Sequence, residues 1–347
     1  MSLENVEELL VAGRSFAPAD QGDAPVRGAA HPDGALVAFK FGGSSVAGAG
    51  RIRHAAGLVR DAARTARVAV VVSAMKGVTD RLLALGQLLA DGSFAAARRE
   101  AEAVLQLHLD VLRDLQLPEG AHARVRRELQ LLGRDLLHEV PLRGPLAASP
   151  EFFDRLASFG ERFSARLFAA TLEKAGVAAV PVASSDFVLT CDTFRDAKPR
   201  LGETRERGRA VLLPLLEDGI VPVVTGFLGA TPDGRITTLG RNSSDFSGAI
   251  IAHVVDADEL VIWTDVDGIF TANPHESAEA KLLHEMSYDE AHALAAGGAK
   301  VLHPHVLPLA EETEMTVWVR NTFNPQFRGT RIGPPVSKDL AQAGGAA

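Results

Sequence analysis

VAFKFGGSSVAGAG, residues Val37 to Gly50, is the stretch on which the fold turns. An apolar run holding a lysine breaks at paired glycines and paired serines, then passes into an alanine-rich segment. That pattern predicts a buried strand, a tight turn and a helix. Two readings of the turn stand side by side. Gly42 and Gly43 suit a plain corner where φ must be positive. They equally suit a loop whose backbone N–H groups surround phosphate oxygens just ahead of a helix start.

Outward from this stretch the same alternation recurs. Strands are predicted at Leu36 to Phe41, Val68 to Ser73, Ala179 to Val182, Val221 to Thr225, Leu260 to Trp263 and Met315 to Val319. Several are apolar at successive positions, as strands buried on both faces should be. Helices are predicted at Gly48 to Arg64, Phe152 to Ala175, Glu203 to Leu216, Asp245 to Val255 and Tyr288 to Ala296, the last with Ser287 and Glu290 placed for a capping box. The expected class is therefore α/β, a mostly parallel sheet with helices on both faces. Residues 80–145 break the rhythm with two long amphipathic helices and no strand between them, which reads as a helical insertion.

The bulk numbers narrow the function classes. The chain has 347 residues, 46% hydrophobic and 23% charged, with a formal charge of -8. This leaves no basic footprint for nucleic acid or an anionic membrane. Cys191 stands alone, so neither an intramolecular disulfide nor a cysteine-based metal site is expected. No secretory signal and no membrane-length apolar run is found, and a cytoplasmic location is expected. Residues 1–34 and 333–347 read as an extension and a tail with little to bury.

Chemistry is concentrated in polar segments that follow strands or open helices. In KFGGSS, Lys40 to Ser45, the lysine precedes the glycines, so the Walker pattern is absent, yet an ammonium and free amides still suit a phosphoryl group. SAMKGVTDRL offers the hydroxyls of Ser73 and Thr79, with Thr79 as a plain helix N-cap the bland alternative. In TTLGRNSSDFSGA, Arg241 is placed to take a carboxylate through two parallel bonds, while Ser244 or Asp245 would serve as a cap. VIWTDVDGIFTANPH has a D-V-D-G fragment without the remaining ligands of a calcium loop, which leaves a nucleotide loop or a turn. Glu161 sits in a helical pattern beside Gly160, Lys300 follows a double glycine, and His303 and His305 would face opposite sides of a strand.

Six segments, KFGGSSV, SAMKGVTD, SFGERFSARL, VTGFLGATPDGRITTLGRNSSDFSGA, WTDVDGIFTANP and GGAKVLHP, occur in an order and spacing that resemble the aspartate kinases of the amino-acid-kinase superfamily. The likeness runs from about Leu36 to Ile332. It implies a three-layer α/β/α sandwich of the carbamate-kinase-like type over residues 35–332, with an amino-acid-binding lobe at 35–225 and a nucleotide-binding lobe at 226–332. It implies transfer of the γ-phosphoryl group of MgATP to the β-carboxylate of L-aspartate, giving 4-phospho-L-aspartate and ADP.

By the same resemblance Lys40 contacts the transferring group, with Asp245 orienting Lys40 and Lys300. Gly42, Gly43 and Ser44 fall at the phosphates, and Thr264, Asp265, Phe270 and Lys300 at nucleotide positions. Ser73, Thr79, Glu161, Arg241 and Ser244 fall at the amino acid. ATP and Mg²⁺ are implied, the metal carried by the nucleotide with no protein ligand. A homo-oligomer, a dimer, is also implied, with a separate or fused regulatory partner as a further possibility.

The chemistry agrees. A carboxylate acceptor is already ionised at neutral pH, so the reaction needs alignment and cover for charge rather than a general base.

The chain departs from the resemblance in several places. The small regulatory modules usual after the kinase region have no room here, so feedback through them is not expected. Residues 261–274 resemble the kinase halves of fused aspartate kinase–homoserine dehydrogenases, which fits a fragment of a longer chain. Lys76, Ser243, Asn273 and His275 replace residues more frequent in the family, and Lys76 and Ser243 lie beside the acceptor positions. They keep open a kinase of another small carboxylate, and a non-catalytic binding subunit is the reading from a different class.

Overall fold

Strand β1, Leu36–Phe41, is the centre of the molecule in the computed structural model, which describes residues 34–140, 149–240, 243–271, 279–296 and 302–334. It lies parallel to β2, Arg67–Val72, on one side and to β7, Glu259–Thr264, on the other. Beyond β2 come β4, Val221–Thr225, and then β3, Ala179–Val182, again parallel. Beyond β7 lies β11, Thr316–Asn321, parallel to it. The edge is completed by β12, Thr330–Ile332, antiparallel to β11, and by β10, Glu285–Met286. Among the described residues the sheet order is β10-β12-β11-β7-β1-β2-β4-β3. The six expected strands are all present; the short pair β5, Leu228–Ala230, with β6, Ile236–Thr238, and the pair β8, Ile269–Phe270, with β9, Leu282–Leu283, were not foreseen.

Helices cover both faces. In chain order they are α1 Ala49–Ala62, α2 Val78–Ala90, α3 Phe94–Leu115, α4 Glu119–Glu139, α5 Pro150–Ala157, α6 Phe159–Lys174, α7 Leu201–Glu217, α8 Ser244–Val255, α9 Tyr288–Ala296 and α10 Val306–Glu312. Alternation along the strands divides the core in two. Phe39, Phe41, Val70, Val72 and Trp263 pack toward the side of α1 and α6, whereas Leu36, Ala38, Val71, Leu260 and Ile262 pack toward α7, α8 and α10. Lys40 shares the parity of Leu36 and Ala38. Its side chain therefore points toward α8.

The insertion consists of α2, α3 and α4, and their apolar faces merge with the first core through Leu85, Val104, Leu112, Leu129 and Leu136. One expected helix is divided. The stretch predicted as Phe152 to Ala175 breaks at Ser158, whose hydroxyl donates to the Arg155 carbonyl at 2.7 Å. The capping box of α9 is present as read: Ser287 N–H donates to Glu290 at 2.7 Å, and Glu290 N–H to the Ser287 hydroxyl at 3.2 Å. Among the described residues no helix is long and apolar enough to cross a membrane.

Candidate active site

Toward the carboxyl ends of the central parallel strands Phe41 lies between Val72 and Trp263, with β2 on one side of β1 and β7 on the other. Ligands bind at such a switch point beyond the carboxyl ends of strands. Lys40, 5% exposed, lies one residue before the end of β1. Its Nζ meets Asp245 Oδ1 at 2.6 Å in the first turn of α8. Close packing makes this reach possible, because a Cβ at Gly248 would lie 3.0 Å from the Lys40 Cβ.

The turn after β1 is fastened to its neighbours. Gly42 N–H donates to the Trp263 carbonyl at 3.3 Å, and Lys76 N–H donates to the Gly43 carbonyl at 3.1 Å. A Cβ at Gly43 would lie 2.8 Å from the Ala74 carbonyl oxygen, a contact with backbone that cannot be relieved by a rotamer change. Gly43 is thus required by close approach of two loops. Ser45, fully buried, is bonded through its hydroxyl to that of Thr322 at 2.7 Å.

Glu161 is 3% exposed at the start of α6. Its Oε1 accepts the Ala74 N–H at 3.1 Å, and its Oε2 is buried without a partner. Burial pushes its carboxyl up to about 8, against the opposing pull of the Ala74 hydrogen bond. The neighbouring Ser73 hydroxyl is likewise buried without a partner. Gly160 allows this approach, since a Cβ there would lie 2.6 Å from the Ala74 Cβ. A buried carboxylate oxygen and a buried hydroxyl, both unsatisfied, suit a polar ligand that completes them.

Other predicted positions fall as follows. Thr79 is half-buried in the first turn of α2, and the N-cap is Gly77 with φ of 83°, so Thr79 is not the cap. Ser243 occupies the N-cap position of α8 without a side-chain capping bond, and Ser244 and Asp245 follow inside the helix. The Ser44 carbonyl accepts from the Arg51 guanidinium at 2.6 Å. Thr264 ends β7 and donates to Asp265 at 3.4 Å. Asp267 is engaged by the amides of Asn321 and Asn324 at 2.8 and 3.1 Å, so this loop is tied to the turn after β11. Phe270 lies in β8. Arg241, Lys300, Asn273 and His275 lie outside the described residues.

His303 and His305 correct an expectation. They belong to a turn before α10, not a strand, and both rings stand over Phe246, with centroids 5.4 and 5.1 Å away. The two rings are 5.3 Å apart on the same side, and burial with the adjacent His305 holds His303 below its usual range.

A model of the amino acid kinase family matches residues 35–321. The chain belongs to that family. Within this kinase family it is 34% identical over 311 residues to the lysine-sensitive aspartokinase 3 of Escherichia coli, covering 88% of this chain and 67% of that protein. It is 33% identical over 305 residues to the chloroplastic aspartokinase 1 of Arabidopsis thaliana, covering 86% of this chain and 52% of that protein. The fold superposes on E. coli aspartokinase III in complex with aspartate and ADP with a TM-score of 0.74 and 32% identity, over 87% of this chain and 65% of that one. The chain thus spans between about half and two thirds of these relatives.

The partners of several buried polar groups were not legible in the sequence. Ser45, Thr322, Asp154 and Thr238 are bonded to partners remote along the chain. The only local signal was the polar character of Asp154 in an otherwise amphipathic helix.

Proposed function

We propose that this chain is an aspartate kinase, transferring the γ-phosphoryl group of MgATP to the β-carboxylate of L-aspartate. The carrying observation is the Lys40–Asp245 contact at 2.6 Å, set at the carboxyl end of the central strand beside the Gly42-Gly43 turn. A buried ammonium held by a carboxylate is placed to neutralise charge on phosphoryl oxygens as the transfer proceeds. Gly42 and Gly43 would present backbone N–H groups to the phosphates. Thr264, Asp265 and Phe270 would border the nucleotide, and Lys300 would add a second cation. Mg²⁺ would arrive on ATP and supply further charge cover there.

The acid would be read by its two charged ends. Glu161 Oε2, buried and unpartnered, suits the ammonium, and Arg241 suits the α-carboxylate, with Ser73, Thr79 and Ser244 as hydroxyl donors. In this proposal residues 35–225 form the amino-acid lobe and 226–332 the nucleotide lobe. Homo-oligomerisation, a regulatory partner and a cytoplasmic location alongside the ATP pool belong to the same reading.

The test is acceptor-dependent ADP release from MgATP with hydroxylamine trapping of acyl phosphate, across aspartate, glutamate, N-acetylglutamate and other small β-carboxylates. Trapping with aspartate is the expected result. Turnover with a different acid instead would replace the substrate, with Lys76 and Ser243 the residues to examine. Binding without turnover for every acid would overturn the catalytic reading.

A further inference from the structure

Asn321, the last residue of β11, meets the loop after β7 twice. In the parallel ladder it lies beside Thr264, the last residue of β7. Its side-chain Nδ2 then donates to Asp267 Oδ1 at 2.8 Å, while its Oδ1 accepts the Phe323 N–H at 2.9 Å. Both halves of the amide are thus committed, the acceptor to its own turn and the donor to a carboxylate beyond the end of β7. Asn324, exposed in the same turn, adds a second bond to Asp267 Oδ1 at 3.1 Å. Between the two attachment points stand Asp265 and Val266, both exposed.

The turn that makes these bonds is itself fixed. Thr322 N–H donates to the Thr264 carbonyl at 2.8 Å, and the buried Thr322 hydroxyl meets that of Ser45 at 2.7 Å. His54 Nε2–H donates to the Thr322 carbonyl at 2.5 Å, which fastens the turn to α1. Further along the loop, the Ile269 N–H donates to the hydroxyl of the buried Thr330 at 2.8 Å. The segment 264–267 is therefore an arch whose two feet rest on one asparagine. Asp265 and Val266 form its crown.

We propose that Asn321 is a positioning residue for the nucleotide: by holding both ends of 264–267 it presents Thr264 and Asp265 in the arrangement that receives MgATP. This rests on the reading of Thr264 and Asp265 as nucleotide groups. A loop fixed beforehand has little conformational freedom left to lose when the ligand arrives, so cutting one foot weakens nucleotide binding although no contact to the nucleotide is removed. Glu161 and Ser73, at the acid end of the site, share none of these bonds.

Asn321→Asp keeps the size and the acceptor for the Phe323 N–H, but it removes the donor and sets a second carboxylate against Asp267. MgADP binding is measured by calorimetry with no acid present, and KM is measured separately for the acid and for MgATP. Asn321→Asp is expected to weaken MgADP binding about tenfold or more, to raise the MgATP KM in step and to leave the acid KM unchanged. Exchanging the pair, Asn321→Asp together with Asp267→Asn, sets a donor opposite an acceptor again. That double variant is expected to recover MgADP affinity to within about threefold of wild type.

Unchanged MgADP affinity in Asn321→Asp, equal rises in both KM values, or a double variant no better than the single one would overturn the proposal. If Asn321→Asp fails to fold, Asn321→Ser takes its place: it keeps an acceptor for the turn but is too short to reach Asp267, and unchanged MgADP affinity there is equally decisive against the proposal. A wild type that binds no MgADP would overturn the nucleotide reading and this proposal together. MgADP binding with turnover of an acid other than aspartate would overturn the aspartate reading alone, and the KM comparison would then be made with that acid.

Discussion

Lys40 Nζ and Asp245 Oδ1 meet at 2.6 Å, joining the end of the central strand to the first turn of α8. The lysine side chain is 7% exposed and the aspartate side chain 25% exposed, so the pair is largely shielded from solvent, the lysine more than the aspartate.

Lys40→Ala is expected to lower kcat by about a hundredfold to a thousandfold, the usual loss when one donor to developing charge is removed. MgATP binding should change little, because the ammonium acts mainly as charge develops. Nucleotide titration alongside single-turnover rates checks this. Equal losses in binding and turnover would contradict the assigned role.

If Arg241 takes the α-carboxylate as proposed, Arg241→Ala is expected to raise the KM for the acid about a hundredfold, through loss of a bidentate contact. The KM for MgATP should stay near its wild-type value. An unchanged acid KM would show that the acceptor lies elsewhere.

Glu161 should make acid binding pH-dependent. With its carboxyl pushed up to about 8 in the free protein, the group must lose a proton before it can pair with an ammonium. Acid affinity should therefore strengthen as pH rises toward 8, and binding at pH 7 should release a proton. Calorimetry in buffers of different ionisation enthalpy measures that release. Glu161→Gln should abolish it, and identical heats in all buffers for the wild type would refute the assignment.

His108 should make the fold acid-sensitive. Its ring is fully buried in α3, stacks on Phe163 at 4.4 Å, donates its Nδ1–H to the Val104 carbonyl at 2.7 Å, and is held down at about 4 by burial. The folded value lies below the ordinary one, so the stability from the neutral ring is present above pH 6.5 and lost as pH falls toward 4. The loss is on the order of 3 kcal/mol. Glu161 works in the opposite sense, its contribution being lost as pH rises from 4.5 toward 8. Urea unfolding of wild type and His108→Leu at several pH values isolates the histidine, and parallel pH slopes would exclude it.

Much of this could be read from local pattern. The segment from Leu36 to Phe41 fixed a buried strand because every second residue had to meet one of two cores, and that same alternation aimed Lys40 at one side of the sheet. The Ser287 and Glu290 capping box lies within one helical turn and was equally legible. The break at Ser158 was not, because the residues on either side keep a helical apolar pattern and the interruption rests on one hydroxyl taking a backbone carbonyl. His303 and His305 were misplaced for a related reason: strand alternation was assumed where the chain turns beneath Phe246.

What the sequence determined by itself was the alternating α/β order, the glycine turn behind Lys40 and the set of polar groups available for chemistry, since each depends on neighbours within a few residues. Tertiary structure alone decided which of them meet. Asp154 reaches Thr238, Ser45 reaches Thr322 and Glu161 reaches the Ala74 N–H only after strands far apart in the chain pair side by side. Burial then gives those contacts their consequence, because a carboxylate removed from water must find donors or hold its proton.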